Sequence, residues 1–308
     1  MIFLAGRSFD RPARLHFHLG APVVQDKAMS VLQAEFTNVS VVVEDRVCWA
    51  TIDAPPVNVM TIALLMDLIK LANEVAADEG VGALVLQSAD PDFFIAHFDV
   101  EAILTFPVDG EPTRAGELSS FHRMCETFRT MPKATIAKVN GRVGGGGAEL
   151  AASMDMRFGV IGRTVVNQME VPLGILPGGT GTQRLPLLVG RGRALEMVLG
   201  GIDIDAQTAV AWGWLNRAFA SAEELDRYVA FLANRIASFP PTAVRLAKAS
   251  VLNALADPTD VLLDEAHAFQ QTLRDPLASD RMRTFLERGG QTRAGELDVA
   301  GLSASLHL

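Results

Sequence analysis

Asn140-Gly141-Arg142-Val143-Gly144-Gly145-Gly146-Gly147-Ala148-Glu149-Leu150 is the stretch on which the reading of this chain turns. It follows a strand-like run, Ala134-Thr135-Ile136-Ala137-Lys138-Val139, and opens a helical one from Ala148 to Met154. Four glycines at a strand-to-helix junction let the backbone approach a ligand closely and leave N–H groups pointing outward. The helix N-terminus adds partial positive charge, so the spot favours an anion or a developing oxyanion. A phosphate loop of the G-x-x-x-x-G-K-[ST] kind fails for want of its lysine. A dinucleotide fingerprint is weak, because the strand lies mid-chain and no acidic residue stands out at the right distance. An oxyanion hole fits best, with Glu149 at most one helical turn away as an acid or base. On this stretch alone, a tight turn that merely needs glycine is an equal reading.

Glu170 changes that balance. It lies between Met169 and Val171 in the largely apolar stretch from Asn167 to Gly179. There it is either a solvent-facing loop residue or a partly desolvated one. Desolvation disfavours the charged form and raises a carboxyl pKa towards what a general acid near neutrality needs. Two glutamates in one apolar pocket can hold a water between them and move its protons.

The surroundings read as an α/β core with a helical end. Val41 to Ile52, turning at Glu44-Asp45-Arg46, is a β-hairpin that Ala54-Pro55-Pro56 terminates. Thr61 is placed to cap a helix whose apolar residues, Leu64 to Val75, follow helical spacing, with Gly80 closing it. Ala83-Leu84-Val85-Leu86 suits a buried parallel strand, and Met156 to Ile161 another. A helix is expected from about residue 114 to 130. Strand–helix–strand units of this kind imply a parallel sheet with right-handed crossovers. Beyond Phe219 the pattern is helical over 222–237, 241–256 and 258–288, broken at Pro240, Pro241 and Pro258.

Composition excludes several classes. The apolar share of 49% with 20% charged residues is that of a globular protein, and no apolar run nears the roughly 18 residues of a membrane span. A net charge of −9 argues against a nucleic-acid surface. Cys48 and Cys125, the only cysteines, have no metal-ligand spacing, and Cys48 reads as a small buried hydrophobe. Residues 1–20 are too broken by charge for a secretory signal, and a transit peptide is the lesser reading. The location expected is cytoplasmic.

Taken together, Pro55-Pro56-Val57-Asn58, Phe94-Ile95-Ala96-His97-Phe98-Asp99, the glycine loop through Leu150, Met169-Glu170-Val171 and Leu176 to Leu185 resemble the crotonase, or enoyl-CoA hydratase/isomerase, family. The resemblance runs over about residues 38–290. It implies a crotonase-like (ClpP/crotonase) α/β fold of repeated ββα units with a C-terminal helical region. It divides the chain into an N-terminal extension (1–36), an α/β core with an acyl-CoA site (37–222), a helical trimerisation region (223–290) and a flexible tail (291–308).

The resemblance also implies roles. The backbone N–H groups of Phe98 and Gly146 would hold the thioester oxygen, Glu149 would activate water, and Glu170 would protonate the α-carbon. Val57 and Ala96 would line the coenzyme A channel, with His97, Asp99, Gly145 and Gly178 also in the substrate site. Asp99 is expected to brace its loop at a helix start. The implied reaction is syn addition of water to a 2-enoyl-CoA, with no metal and no cofactor beyond the substrate's coenzyme A, in a trimer or a hexamer of paired trimers. Isomerisation, hydrolysis or decarboxylation of a CoA thioester, or acyl-CoA binding without catalysis, are the alternatives on the same fold.

Two departures from the family pattern stand out. His97 occupies a position where the family has glycine, and reads as a tolerated loop residue ahead of a substrate contact or an extra acid/base. One additional residue between Asp155 and Glu170 threatens to displace Glu170. His122 and His267 read as surface or packing residues. Arg184, Arg191 and Arg193 read as solvated helix faces or subunit contacts ahead of a phosphate-binding cluster.

Overall fold

A computed structural model describes residues 35–255 and 257–307. Val39–Glu44 (β1) and Val47–Ile52 (β2) form the expected antiparallel hairpin, with Val43 opposite Cys48. Asp45 and Arg46 both take positive φ, as a two-residue hairpin loop matched to strand twist requires. Thr61 caps Ile62–Ala77 (α1) by accepting the N–H of Leu64. The helix buries Leu64, Leu65, Leu68, Leu71, Ala72 and Val75, the stripe that the spacing predicts. Truncating the fully buried Leu68 to Ala would cost roughly 2–5 kcal/mol, since the cavity left behind adds to the lost transfer energy. Ala83–Ser88 (β3) then returns parallel to β2.

From β3 to β8, successive strands alternate between two sheets. Phe93–Ile95 (β4) is followed by Val100–Ile103 (α2) and Ser120–Thr130 (α3). Ala134–Val139 (β5), Arg142–Gly144 (β6) and Gly145–Ser153 (α4) come next, then Met156–Val160 (β7) and Val165–Asn167 (β8). Gly181–Val189 (α5), Arg191–Gly200 (α6), Ile204–Asp205 (β9), Ala206–Trp212 (α7) and Arg217–Phe219 (β10) complete the core. Among the described residues one sheet runs β1-β2-β3-β5-β7-β10 and the other β4-β6-β8-β9. Every pairing from β2 to β10 in the first sheet is parallel, as is β4 to β8 in the second. This is the repeated ββα organisation expected of the chain.

Side chains on the first sheet divide by the two-residue period of a strand. Val47, Val85 and Ile136 face Ala222–Ala237 (α8), packing on Leu225, Val229 and Ala233. Cys48, Leu84, Leu86, Ala137 and Val139 face the other way, into the core that holds α1, α3 and α4. Cys48 is thus buried as expected, and burial pushes its thiol up to about 12. Asn58, at positive φ, ties the end of β2 to β4. Its side-chain oxygen accepts the N–H of Ala54, and its amide nitrogen donates to Ser88 Oγ at 2.7 Å and to the carbonyls of Phe93 and Phe94.

The helices depart from expectation in three places. The helix anticipated from about 114 begins only at Ser120, where the Ser119 side chain caps it by accepting the N–H of His122. The single run anticipated over 258–288 is two helices, Thr259–Thr272 (α10) and Pro276–Glu287 (α11), which follow Pro241–Leu252 (α9). Pro276 lacks the N–H that would continue α10, and Asp275 caps α11 from the N–H of Leu277. Residues 291–307, expected as a flexible tail, instead fold as Arg293–Leu297 (α12), Val299–Ala304 (α13) and a last 3₁₀ turn. Val299 and Leu306 anchor this segment in a cluster with Met282 and Phe285. The expected extension 1–36 lies almost wholly outside the described residues. Among those described, no helix is long and apolar enough to cross a membrane.

Candidate active site

The glycine loop is where β6 runs directly into α4, at Gly144 and Gly145. The Gly144 cap position supplies no side chain, so the first N–H groups of α4, Gly146's among them, have no intrahelical or capping partner. Gly145 sits at a φ of 41°, a backbone that a side chain strains. Gly147 is required for a different reason. A Cβ there would lie 2.6 Å from the Ile95 carbonyl oxygen, so only glycine lets α4 close against the end of β4 and the segment that leaves it.

That segment carries Phe98. Met60 N–H donates to the His97 carbonyl at 2.8 Å, and Asp99 N–H donates to the Met60 carbonyl at 3.1 Å. Because the peptide joining His97 to Phe98 is trans and planar, fixing the His97 carbonyl toward Met60 turns the Phe98 N–H the opposite way. A Cβ on Gly146 would lie only 3.2 Å from Phe98 Cβ, so the two residues are direct neighbours. Asp99 caps α2 by accepting the N–H of Glu101, which is the bracing expected of it.

Phe98, Gly146, Glu149 and Glu170 line one cavity of about 480 Å³, whose other walls include Phe106, Phe121, Leu176, Gly178, Phe269 and Leu273. The residue added before Glu170 therefore does not carry it away. Glu149 Oε1 accepts three N–H groups, from Gly179 at 2.9 Å, Thr180 at 2.9 Å and Gly181 at 2.8 Å, at the opening of α5. Burial, then the nearby Glu265 carboxylate, raises the Glu149 carboxyl to about 7 against the pull of those donors. Glu170 takes the Gln168 side-chain amide, at 3.0 and 3.1 Å, and its own backbone N–H. Burial, then the charge of Glu149, raises it to about 8. The donor count orders the pair: three N–H groups favour a carboxylate at Glu149, so it ionises first and Glu170 keeps its proton longer.

The remaining predicted residues divide. Gly178 lines the cavity, with no room for a Cβ against the Phe269 ring. Val57 and Ala96 are buried together with Val59 and Phe93 and are not among the cavity's lining residues. Gly145 and Asp99 support the loop without lining the cavity. His97 does not line it either. Its ring is buried, with Nε2 3.0 Å from Glu296 Oε1 of α12 and Nδ1 2.8 Å from the Phe98 carbonyl. Arg184 is not grouped with Arg191 and Arg193: it is buried and paired with Glu126, while the other two are exposed.

Two site residues escaped the sequence reading. His122, expected on a surface or in ordinary packing, is buried in the cavity wall, with Nδ1 2.8 Å from Ser119 Oγ and Nε2 3.3 Å from Glu265 Oε2. Glu265 also accepts the Thr182 N–H at 2.9 Å and the Thr182 hydroxyl. The signal was present, since Glu265 stands three residues after Leu262 and four before Phe269, on the stripe that α10 turns inward.

Comparison with known proteins came to one result. The sequence model of the enoyl-CoA hydratase/isomerase family matches residues 43–292. A short-chain-enoyl-CoA hydratase of Clostridium acetobutylicum is 31% identical over 257 residues, 82% of this chain and 96% of the relative. A crotonyl-CoA hydratase of Syntrophomonas wolfei is 30% identical over 256 residues, 82% of this chain and 96% of the relative. Among solved structures, a proposed enoyl-CoA hydratase of Streptomyces avermitilis superposes with a TM-score of 0.80 at 36% identity, covering 89% of this chain and 99% of that one.

Proposed function

Because the chain belongs to the enoyl-CoA hydratase/isomerase family, we propose that it is an enoyl-CoA hydratase, adding water across the double bond of a 2-enoyl-CoA. The observation that carries this reading is that Glu149 and Glu170 share one apolar cavity with Phe98 and Gly146. The substrate's thioester oxygen accepts the N–H groups of Phe98 and Gly146. Glu149, the carboxyl that ionises first, takes a proton from water as its oxygen bonds to the β-carbon. The double-bond electrons move onto the thioester oxygen as an enolate, held by the two N–H groups. Glu170 then gives its proton to the α-carbon and the carbonyl re-forms. The product carries hydroxyl at the β-carbon and hydrogen at the α-carbon, and exchange of one proton from Glu149 to Glu170 resets the site. Each preorganised donor is worth roughly 10²–10³ in rate, so the oxyanion site is the largest single contribution.

The chemistry requires no metal and no cofactor beyond the substrate's own coenzyme A. Purified protein should remove the conjugated thioester absorbance of 2-enoyl-CoA substrates, with the 3-hydroxyacyl-CoA as product. No rate above background across several chain lengths would sink the reading. A 3-enoyl-CoA converted instead to its 2-enoyl isomer, without hydration, would reassign the chain to isomerase chemistry.

A further inference from the structure

His97 and the C-terminal segment meet at the loop that carries the Phe98 N–H. Both nitrogens of the His97 ring face acceptors, Nδ1 the Phe98 carbonyl at 2.8 Å and Nε2 the Glu296 carboxylate at 3.0 Å. A neutral imidazole donates from one nitrogen only, so satisfying both contacts calls for the imidazolium. The ring is buried, edge-on to Phe285 of α11 with centroids 5.8 Å apart, and an unpaired cation there would be costly. Glu296, itself buried, supplies the counter-charge and also accepts the Gln291 N–H at 2.6 Å.

The contact does not stand alone. Gln291 Oε1 accepts the N–H of Val100, two residues after Phe98, at 2.7 Å. Arg293 donates to Asp90 at 2.7 Å, pairs with Asp92, and lies over the Phe93 ring with its guanidinium 5.4 Å from the centroid. The same few residues thus hold the chain on both sides of Ala96-His97-Phe98. Glu296 lies beyond residue 292, where the match to the family's sequence model ends.

We propose that residues 291–296 form a strap that positions the oxyanion N–H of Phe98 through the buried His97–Glu296 ion pair, making His97 and Glu296 positioning residues for the reaction at Glu149 and Glu170. The proposal rests on the hydratase reading for its rate measurements. The Phe98 carbonyl is held by His97 Nδ1, while Met60 holds the two peptides that flank Phe98. Losing the His97 contact frees one side of that clamp. The charged groups bearing on His97 are Glu296 of α12 and Glu170 from the loop before α5, and Arg142 of β6 bears on Glu296. The imidazolium in turn favours the carboxylate form of Glu170.

The test compares wild type with Glu296→Gln, Glu296→Ala, His97→Gln and the double variant Glu296→Ala/His97→Gln. Two readouts are used: hydration kinetics, and the red shift that cinnamoyl-CoA absorbance undergoes when its carbonyl is hydrogen-bonded on binding. Glu296→Ala should lower kcat about tenfold to a hundredfold with KM changed less than about threefold, and should shrink the red shift. Glu296→Gln keeps an oxygen for both N–H groups and should retain more of both. The double variant should be no worse than the more impaired single one, since the pair acts as a unit. With the His97 charge lost, the alkaline limb of the pH–rate profile, assigned to Glu170, should move to higher pH. Unchanged kcat and red shift in folded Glu296→Ala overturns the strap, as does a loss seen only in melting temperature. A wild type that binds with a red shift but hydrates nothing overturns the hydratase reading and leaves the strap to the spectral comparison. A wild type with neither turnover nor red shift overturns both.

Discussion

Glu149 Oε1 accepts the N–H of Gly181 at 2.8 Å, at the first turn of α5 and thirty-two residues further along the chain. Together with the N–H groups of Gly179 and Thr180, it fixes one carboxylate oxygen and so orients the other. That arrangement separates the group's charge from its geometry. Glu149→Gln keeps a carbonyl oxygen for all three donors and loses only the ability to take a proton. The variant should melt no lower than wild type, because an ionisable group buried at a cost has been made neutral. Its kcat should fall by roughly 10²–10⁴, the usual worth of a general acid or base. Glu170→Gln should lose activity on the same scale. Full activity in either variant, measured beside its thermal melt, would remove that residue from the mechanism.

The pH profile follows from the same pair. The proposed reaction needs Glu149 ionised and Glu170 protonated, and both carboxyls are raised by burial, to about 7 and about 8. The rate should climb as pH rises through the lower value and fall as it passes the upper one. The result is a narrow bell near neutrality whose two apparent constants belong to the coupled pair. A flat rate from pH 6 to 9 with a saturating substrate would show that these carboxyls do not set it.

Much of this arrangement was legible in the sequence, and the failures have physical reasons. Local patterns carried the hairpin at Asp45-Arg46, the Thr61 cap and the stripe of α1, because each is settled by neighbours within a few residues. The glycine loop was legible as a close approach, and Gly147 against Ile95 is that approach. The strap was not, since Glu296 and His97 are 199 positions apart and only tertiary packing joins them. A tail rich in Gly, Ala and Ser lacks the long apolar stripe that announces a helix, and α12 and α13 are short pieces held by Val299 and Leu306. Glu265 stands on the stripe that α10 turns inward, but its partner His122 lies 143 positions away, so only tertiary packing joins the two.

Glu265 offers a test that leaves both proposed catalytic carboxyls in place. Its carboxylate is the second-largest influence raising Glu149, after burial. Glu265→Gln retains an oxygen for Thr182 and removes the charge. With a negative neighbour gone, the Glu149 carboxylate becomes easier to form, so its pKa falls and the acid limb of the profile moves to lower pH. The ratio of kcat at pH 6 to kcat at pH 8 should rise above that of wild type. An unmoved limb would mean that Glu265 serves only to hold Thr182 and His122.

Gly179 gives a steric counterpart. A Cβ there would lie 2.4 Å from the Phe121 ring and 2.5 Å from Glu149 Oε2. Gly179→Ala must therefore move either the ring or the carboxylate, and the ring is the wall of the cavity. Overpacking of this kind costs roughly 1–3 kcal/mol, and a base displaced by even an ångström loses far more in rate than in stability. The variant should keep its fold and lose at least tenfold in kcat. Wild-type kcat with a lowered melting temperature would contradict the proposed role of the Glu149 carboxylate as the base.

The surface of α9 bears on assembly. None of its twelve residues is buried, although Leu246 is 53% and Val251 71% exposed, and Phe231 of the preceding helix is 60% exposed. Only Val244, Lys248 and Leu252 of this helix are half-buried, so it gains little from packing on its own chain, and isolated helices of this length are marginal in water. Burying this apolar area against a second copy would return roughly 25 cal/mol for each Å² removed from water. The expected assembly is a trimer or paired trimers, with 223–290 at the contact. Sedimentation at micromolar concentration should find three or six chains, and Leu246→Asp with Val251→Asp should shift the protein to smaller species. A wild-type monomer at every concentration tested would instead leave α9 as an uncovered face of the single chain.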